Sequence, residues 1–460
     1  MFRSKAFVVA LLLAVAPSQA MAQESNEDQP PDPDTGESTI TERTLGLLPN
    51  PIEKQGVKFA ATYIGEVMGN ASGGLKQGTF LQGRLNLAAD LDFNKLAGWS
   101  GLTMHANIFA IHGDGLSRSN LQNFMVTSGI EALPAVRLYE AYFEQKFLHD
   151  KWSVRFGQLA ADSEFIATKY TDVFTNASLG WPAITSVNLP AGGPSPPLAA
   201  MGVRLYGQLS DHVTWLAAVF DGNSAGPGAD DPQLRNSNGL NFRVNDPPLV
   251  ISELQYAWKD GGGVPHLPGT LKLGGWQHFG GFDDPHFADD NHSLADPQAS
   301  GTPRQFAGDS GLYAVVEQRL YTVPDHDDRG VGVFLRASQS PSDRNLIDRY
   351  ADAGIDLLGL WDSRPNDKFG VALGYAHVSK AARALDLDFR ALNGPAWPVR
   401  SSETMVTVAY QYEVRGGWNL VPNLQYILHP GGGATDPRGA TPGLRLHDAF
   451  VAGLRSVAKF

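Results

Sequence analysis

The chain has 460 residues, no cysteine, and 48 acidic against 36 basic side chains, for a formal charge of −12. Without thiols it has no cysteine catalysis, cysteine zinc site, iron–sulfur cluster or disulfide framework. The acidic balance argues against a nucleic-acid partner, which calls for a basic surface.

Residues 1–22 read as a secretory signal: Arg3 and Lys5 lead, Ala6 to Ala16 is an unbroken apolar run, and Ala20-Met21-Ala22 offers a small-x-small cleavage site. The apolar run is far shorter than the ~20 residues a spanning helix needs, so cleavage before Gln23 is expected rather than retention as an anchor. Residues 23–44 are acidic, rich in proline and poor in apolar side chains, the composition of a flexible periplasmic leader. A single barrel domain is expected over 45–460. Leu45 to Pro51 and Gly56 lead into its first strand.

From Val57 the text becomes short alternating segments. In 79–93, Leu81, Gly83, Leu85, Leu87, Ala89, Leu91 and Phe93 share one side; Gln82, Arg84, Asn86, Ala88, Asp90 and Asp92 share the other. That is the period of a strand and not of a helix. Similar stretches occur at 57–67, 100–112, 135–147, 151–159, 199–208, 211–221, 249–259, 269–280, 311–322, 331–340, 349–361, 368–379, 402–413, 417–428 and 446–460. Together they give roughly sixteen segments of the ~9–11 residues that cross a bilayer at a tilt. A mean hydropathy of −0.20 fits a barrel whose lipid-facing and lumen-facing residues alternate.

Some separators are tight (94–100, 149–150, 210–211, 415–417) and others long (160–198, 222–248, 281–310). Short turns at one end and long loops at the other suit an outer-membrane barrel, although a soluble sandwich also mixes loop lengths. In the last stretch, Phe450, Ala452, Leu454, Ser456, Ala458 and Phe460 form an apolar face, with Arg455 and Lys459 opposite. Such a strand is a hazard unless it closes a barrel, so Phe460 is assigned to closure. The outer face is expected to meet lipid and lipopolysaccharide, and the closing strand the barrel-assembly machinery.

The segments Gly78 to Phe93, Arg137 to Phe147, Val154 to Phe165, Leu198 to Tyr206, Pro422 to Gly432 and Asp448 to Arg455 resemble the carbohydrate-selective porins of the OprB type. The resemblance is carried by Arg137-Leu-Tyr-Glu140, then Arg155-x-Gly-Gln158, then Asp162-x-Glu-Phe165, in that order and spacing. It implies an all-β, transmembrane antiparallel barrel of sixteen strands, through which monosaccharides such as glucose diffuse passively.

A porin makes and breaks no bonds; it needs wet walls and side chains that exchange weak hydrogen bonds with the solute. Alternation points Arg84, Asn86, Glu140, Tyr142, Glu144, Arg155, Arg204, Tyr206, Gln208, Glu317, Arg319, Arg336 and Arg455 inward, with Tyr139, Ala141 and Phe143 outward. Arg84, Asn86, Glu140, Glu144, Asp162, Glu164 and Arg204 are the candidates for a constriction lined by arginine and glutamate. Asp162 and Glu164 stand at the base of a long loop that could fold inward. Arg155, Glu317, Arg319, Arg336 and Arg455 are assigned to the lumen wall. Each of these charges also has a bland reading, a lateral pair that stabilises the wall.

No cofactor or metal is expected. Asp283, Asp284, Asp289 and Asp290 could hold calcium through oxygen ligands, but their spacing fits no EF-hand and a solvated loop explains them. His278, His286 and His292 lack zinc spacing. Gly261–Gly263 and Gly431–Gly433 read as turn glycines. Trp99, Trp152, Trp181, Trp361 and Trp418 read as interfacial girdle residues. Two other function classes stay open here. One is a soluble secreted carbohydrate-binding β-protein; the other is an outer-membrane hydrolase on a smaller barrel, which needs a Ser–His pair that no segment shows. Deleting Phe460 is expected to impair assembly into lipid more than transport per channel, read as the heat-modifiable gel shift against single-channel conductance. Normal insertion of the truncated chain would remove the closing role.

Overall fold

The computed structural model describes residues 43–258, 267–436 and 444–460. The expected signal peptide, leader residues 23–42 and the Gly261–Gly263 turn lie outside them. Lipid offers no water to a backbone edge, so a spanning sheet must pair every strand and close on itself. Sixteen strands among the described residues do this. They are β1 (Val57–Gly74), β2 (Gly78–Asp92), β3 (Leu102–Gly113), β4 (Ala135–Phe147), β5 (Trp152–Leu159), β6 (Ala200–Gln208), β7 (Val213–Phe220) and β8 (Leu249–Trp258). There follow β9 (Gly269–Ala288), β10 (Pro303–Val323), β11 (His326–Gln339), β12 (Ile347–Leu358), β13 (Lys368–Val378), β14 (Ser402–Arg415), β15 (Trp418–Leu428) and β16 (His447–Lys459).

Each strand pairs antiparallel with its chain neighbours, and β1 pairs with β16 from Thr62 opposite Lys459 to Gly74 opposite His447. Beyond β16 the Phe460 N–H donates to the Ala61 carbonyl at 2.8 Å. The sixteen segments expected from alternation are the sixteen strands. The long loop expected at 281–310 is shorter, because β9 and β10 run on as a paired hairpin and leave 289–302 between them. Above the membrane a hairpin needs no apolar face. There Arg304 reaches Asp284 at 2.6 Å, and polar residues hide the strand period.

Turns at one end are short, as at 324–325 and 416–417; those at the other include 114–134, 160–199, 221–248 and 379–401, the last with a helix at Lys380–Asn393. The long-loop end is the extracellular one and the short-turn end periplasmic. Leu81, Ile108, Val203, Leu273, Leu335, Leu373 and Leu454 stand exposed on the outer wall, an apolar surface that suits lipid and not water. Trp99 and Trp361 are exposed at periplasmic turns. Trp181 does not join them: it is 6% exposed inside the barrel, its indole N–H donating to the Gly192 carbonyl at 3.0 Å.

One register break positions the site. Asn107 pairs with Glu140 but Ile108 pairs with Leu138, so Tyr139 is an extra residue, a β-bulge. The side chains beyond it change faces. Tyr139, expected to point outward, therefore lies inside at 5% exposure. Carbonyls freed by the bulge need donors, and Gln158 Nε2 supplies them to Leu138 at 3.2 Å and Tyr139 at 2.7 Å. Gly157 adopts φ 137°, and a Cβ there would meet the Ala141 carbonyl at 2.3 Å. Replacing Gln158→Leu is expected to cost ~1–3 kcal/mol by orphaning buried carbonyls, read from guanidinium unfolding in lipid vesicles.

Candidate constriction

The loop 160–199 folds into the barrel. Its Phe165, Ile166, Tyr170, Val173, Phe174, Leu179 and Ile184 form one buried apolar cluster with inward residues of the wall, among them Leu216, Ile251, Trp276, Val315, Phe334, Met405 and Ile427. Glycines make room: a Cβ at Gly332 would sit 2.0 Å from the Tyr170 ring, and one at Gly370 2.6 Å from Phe174. The inner face from β7 to β15 is thus largely dry, where strict alternation implied a wet wall throughout.

A loop inside a barrel brings backbone groups that the wall must satisfy. Arg336, 0% exposed, donates to the carbonyls of Ile166, Ser178, Leu179 and Gly180 at 2.9–3.0 Å. It also grips Asp352 through two bonds at 2.9 and 2.5 Å. Glu253 accepts the Ile166 N–H and Glu317 the Lys169 N–H, each at 2.9 Å. Arg455 ion-pairs with Glu66 and reaches the Thr175 carbonyl at 3.3 Å. Glu403 accepts N–H groups of Phe124, Met125 and Gly431 at 2.7–2.8 Å, tying the 114–134 loop to the turn at Gly431–Gly433. Arg319 lies toward the periplasmic mouth, 5.9 Å from the Tyr170 ring centre.

Four expected residues meet at the foot of the loop. Arg155 binds Glu144 at 3.0 Å and Glu164 at 2.9 Å; Arg204 binds Glu164 at 2.7 Å and Glu144 at 3.2 Å. The Ser153 hydroxyl accepts from Arg204 at 2.6 Å. Two cations and two carboxylates, all nearly covered, clamp β4, β5 and β6 to residue 164. Beside them Glu140 accepts the Ala160 N–H at 2.9 Å, and the Tyr139 hydroxyl donates to Asp162 over 3.4 Å. The three motif pieces are therefore one object: the bulge, the glutamine that fills it, and the loop foot.

A different arrangement lines β1 to β4. Thr62 opposes Asn86, Asn86 opposes Phe109, and Phe109 opposes Arg137, one row across four strands. The Arg84 guanidinium lies 4.3 Å over the Phe109 ring, which also stacks on Tyr139 with centroids 4.3 Å apart. Buried Thr62 Oγ1, Asn86 Oδ1 and all three Arg137 side-chain nitrogens have no hydrogen-bond partner among the described residues. Below the row His105 meets Asp90 at 2.5 Å and packs near Tyr142. At the extracellular ends of β3 and β4 opens a cavity of about 410 Å³ lined by Gly113, Asp114, Glu131, Pro134 and Gln233, among others. Burial pushes the Glu131 carboxyl above its ordinary range, against the opposing N–H groups of Arg118 and Ser117.

Sequence reasoning found Arg84 and Asn86 but gave no role to Thr62, Phe109 or Arg137. An aromatic ring on the polar side of β3 was the available signal. In the β9–β10 hairpin the carboxylates have protein partners: Asp284 with Arg304, Asp290 with the N–H groups of His292 and Ser300. Among the described residues no group of three or more His, Asp or Glu is placed to hold a metal.

A closed sixteen-strand barrel with a lipid-facing wall and a loop folded into its lumen defines an outer-membrane porin. The family model described as carbohydrate-selective porin, OprB family, matches residues 76–460. Porin B of Pseudomonas aeruginosa is 21% identical over 422 residues, spanning 86% of this chain and 88% of its own. The high-pH structure of Pseudomonas putida OprB aligns over 89% of this chain and 95% of its own, with a TM-score of 0.77 at 22% identity, a likeness of fold. Its low-pH structure aligns with a TM-score of 0.52 over 89% of this chain and 94% of its own. The chain belongs to the OprB family of carbohydrate-selective porins, outer-membrane channels and not enzymes.

Removing Arg336 leaves Asp352 buried without its cation, a loss of ~3–5 kcal/mol to the loop anchorage. Arg336→Ala is expected to raise single-channel conductance and its noise while the barrel still forms, measured in planar bilayers.

Proposed function

We propose that monosaccharides such as glucose cross on the β1–β4 side of the lumen, past Arg84, Asn86, Thr62, Phe109, Arg137 and Tyr139 and then Asp162. The supporting observation is the contrast between two sets of polar groups. Arg155, Arg204, Arg336 and Arg455 are engaged with carboxylates and loop carbonyls. Thr62, Asn86 and Arg137 instead carry buried polar atoms that have no hydrogen-bond partner among the described residues. A hydrated sugar brings hydroxyls that both donate and accept, so it exchanges bonds with such a row without being trapped. Phe109 serves as a platform that fixes the Arg84 guanidinium by a cation–π contact. In this reading Glu140, Glu144, Glu164 and Arg204 shape the constriction by holding the loop foot rather than by touching the sugar.

The same proposal gives the exposed wall to lipid and lipopolysaccharide, and β16 with Phe460 to the assembly machinery. Arg84→Ala is expected to weaken glucose block of the ionic current about tenfold, the loss of one charged hydrogen bond, with assembly intact. Unchanged block would place the path elsewhere in the lumen.

A further inference from the structure

Arg137 is the least explained side chain of the row. It is 1% exposed, and none of its three side-chain nitrogens has a hydrogen-bond partner among the described residues. Asp231 acts on it through space, but that carboxylate is already bonded to Arg118 at 2.5 Å and to the Gln233 N–H at 2.8 Å. Other buried arginines of the lumen are treated differently: Arg155, Arg204 and Arg336 each hold a carboxylate within 3.0 Å. A covered guanidinium without acceptors is costly, and an occupant that brings both acceptors and negative charge relieves that cost most.

The neighbours fix what such an occupant looks like. Arg84 sits on the extracellular side of Phe109, in register with Ile111, and Arg137 is level with Phe109 itself. Along β4 Arg137 stands on the extracellular side of Glu140, which accepts the Ala160 N–H at the loop foot, while Asp162 accepts from the Tyr139 hydroxyl. Thr62 and Asn86 add hydroxyl and amide groups in the same row. A planar guanidinium fork matches a carboxylate through two parallel bonds, and the flanking polar atoms match ring hydroxyls.

We propose that this row is a site for sugar acids, polyols bearing one carboxylate such as hexuronates, with Arg137 as the carboxylate receptor. The inference rests on the path proposed above and adds a substrate class to it. Neutral sugars use the same row but leave the charge of Arg137 unanswered, so the acid dwells longer.

The test is block of ionic current through the full-length mature porin in planar bilayers, with glucose, sodium glucuronate and glucuronate methyl ester compared at one ionic strength. Glucuronate is expected to block at about tenfold lower concentration than glucose or the ester, the factor carried by one charge-assisted pair. Arg137→Gln is expected to abolish that advantage, so that glucuronate block weakens about tenfold more than glucose block does, with Arg137→Lys intermediate because its ammonium cannot form the fork. Equal block of the wild type by glucuronate and its ester overturns the inference, and this comparison stands even if Arg137→Gln fails to assemble. Equal loss of glucose and glucuronate block in Arg137→Gln also overturns it. If Arg84→Ala weakens glucose block while the wild type shows no glucuronate advantage, the path survives and the sugar-acid site falls. If Arg84→Ala changes neither block, the path itself fails and takes this inference with it.

Discussion

Backbone placed inside a membrane barrel carries N–H and C=O groups that no solvent can be relied on to satisfy. In this porin the wall answers them with charge: Arg336 feeds four loop carbonyls, while Glu253 and Glu317 each receive a loop N–H. Each buried ion would be expensive alone; Arg336 and Glu253 are each held by several hydrogen bonds at once, and Glu317 has the Lys272 ammonium 4.0 Å away. The loop 160–199 is pinned to strands far around the barrel. Its apolar residues then cover the inner face from β7 to β15.

That covering decides what remains for a solute. With one side of the cylinder filled, the path proposed for the solute runs along the sector of β1 to β4 and the foot of the loop. On that proposal, saturation of the polar groups separates wall from channel. The Glu144–Arg155–Glu164–Arg204 group is internally neutral and closed. The row of Thr62, Asn86 and Arg137 keeps atoms without a hydrogen-bond partner among the described residues, and the proposed path uses them for weak, reversible contact.

The strands were legible in the sequence because a strand between lipid and lumen must alternate, and alternation is visible one residue at a time. Inward placement of Arg84, Asn86, Glu144, Arg155, Arg204 and Arg336 follows from that rule alone. Tyr139 escaped it because a bulge shifts the phase by one residue. Nothing in Arg137-Leu-Tyr-Glu140 announces the extra residue; its cause lies partly in Gln158, on the next strand. Trp181 escaped for a related reason, since an aromatic in a long loop looks the same whether it faces a membrane boundary or a lumen.

The sequence by itself determined the number of strands, the face side chains take away from the bulge at Tyr139, and a closing strand, all of them consequences of a local period. The tertiary structure decided which inward charges meet a partner. Pairing Arg336 with the backbone of residues 166–180 depends on where a forty-residue loop comes to rest, from 160 to 199. That position is set by contacts between residues far apart in the chain, and no period along it encodes them.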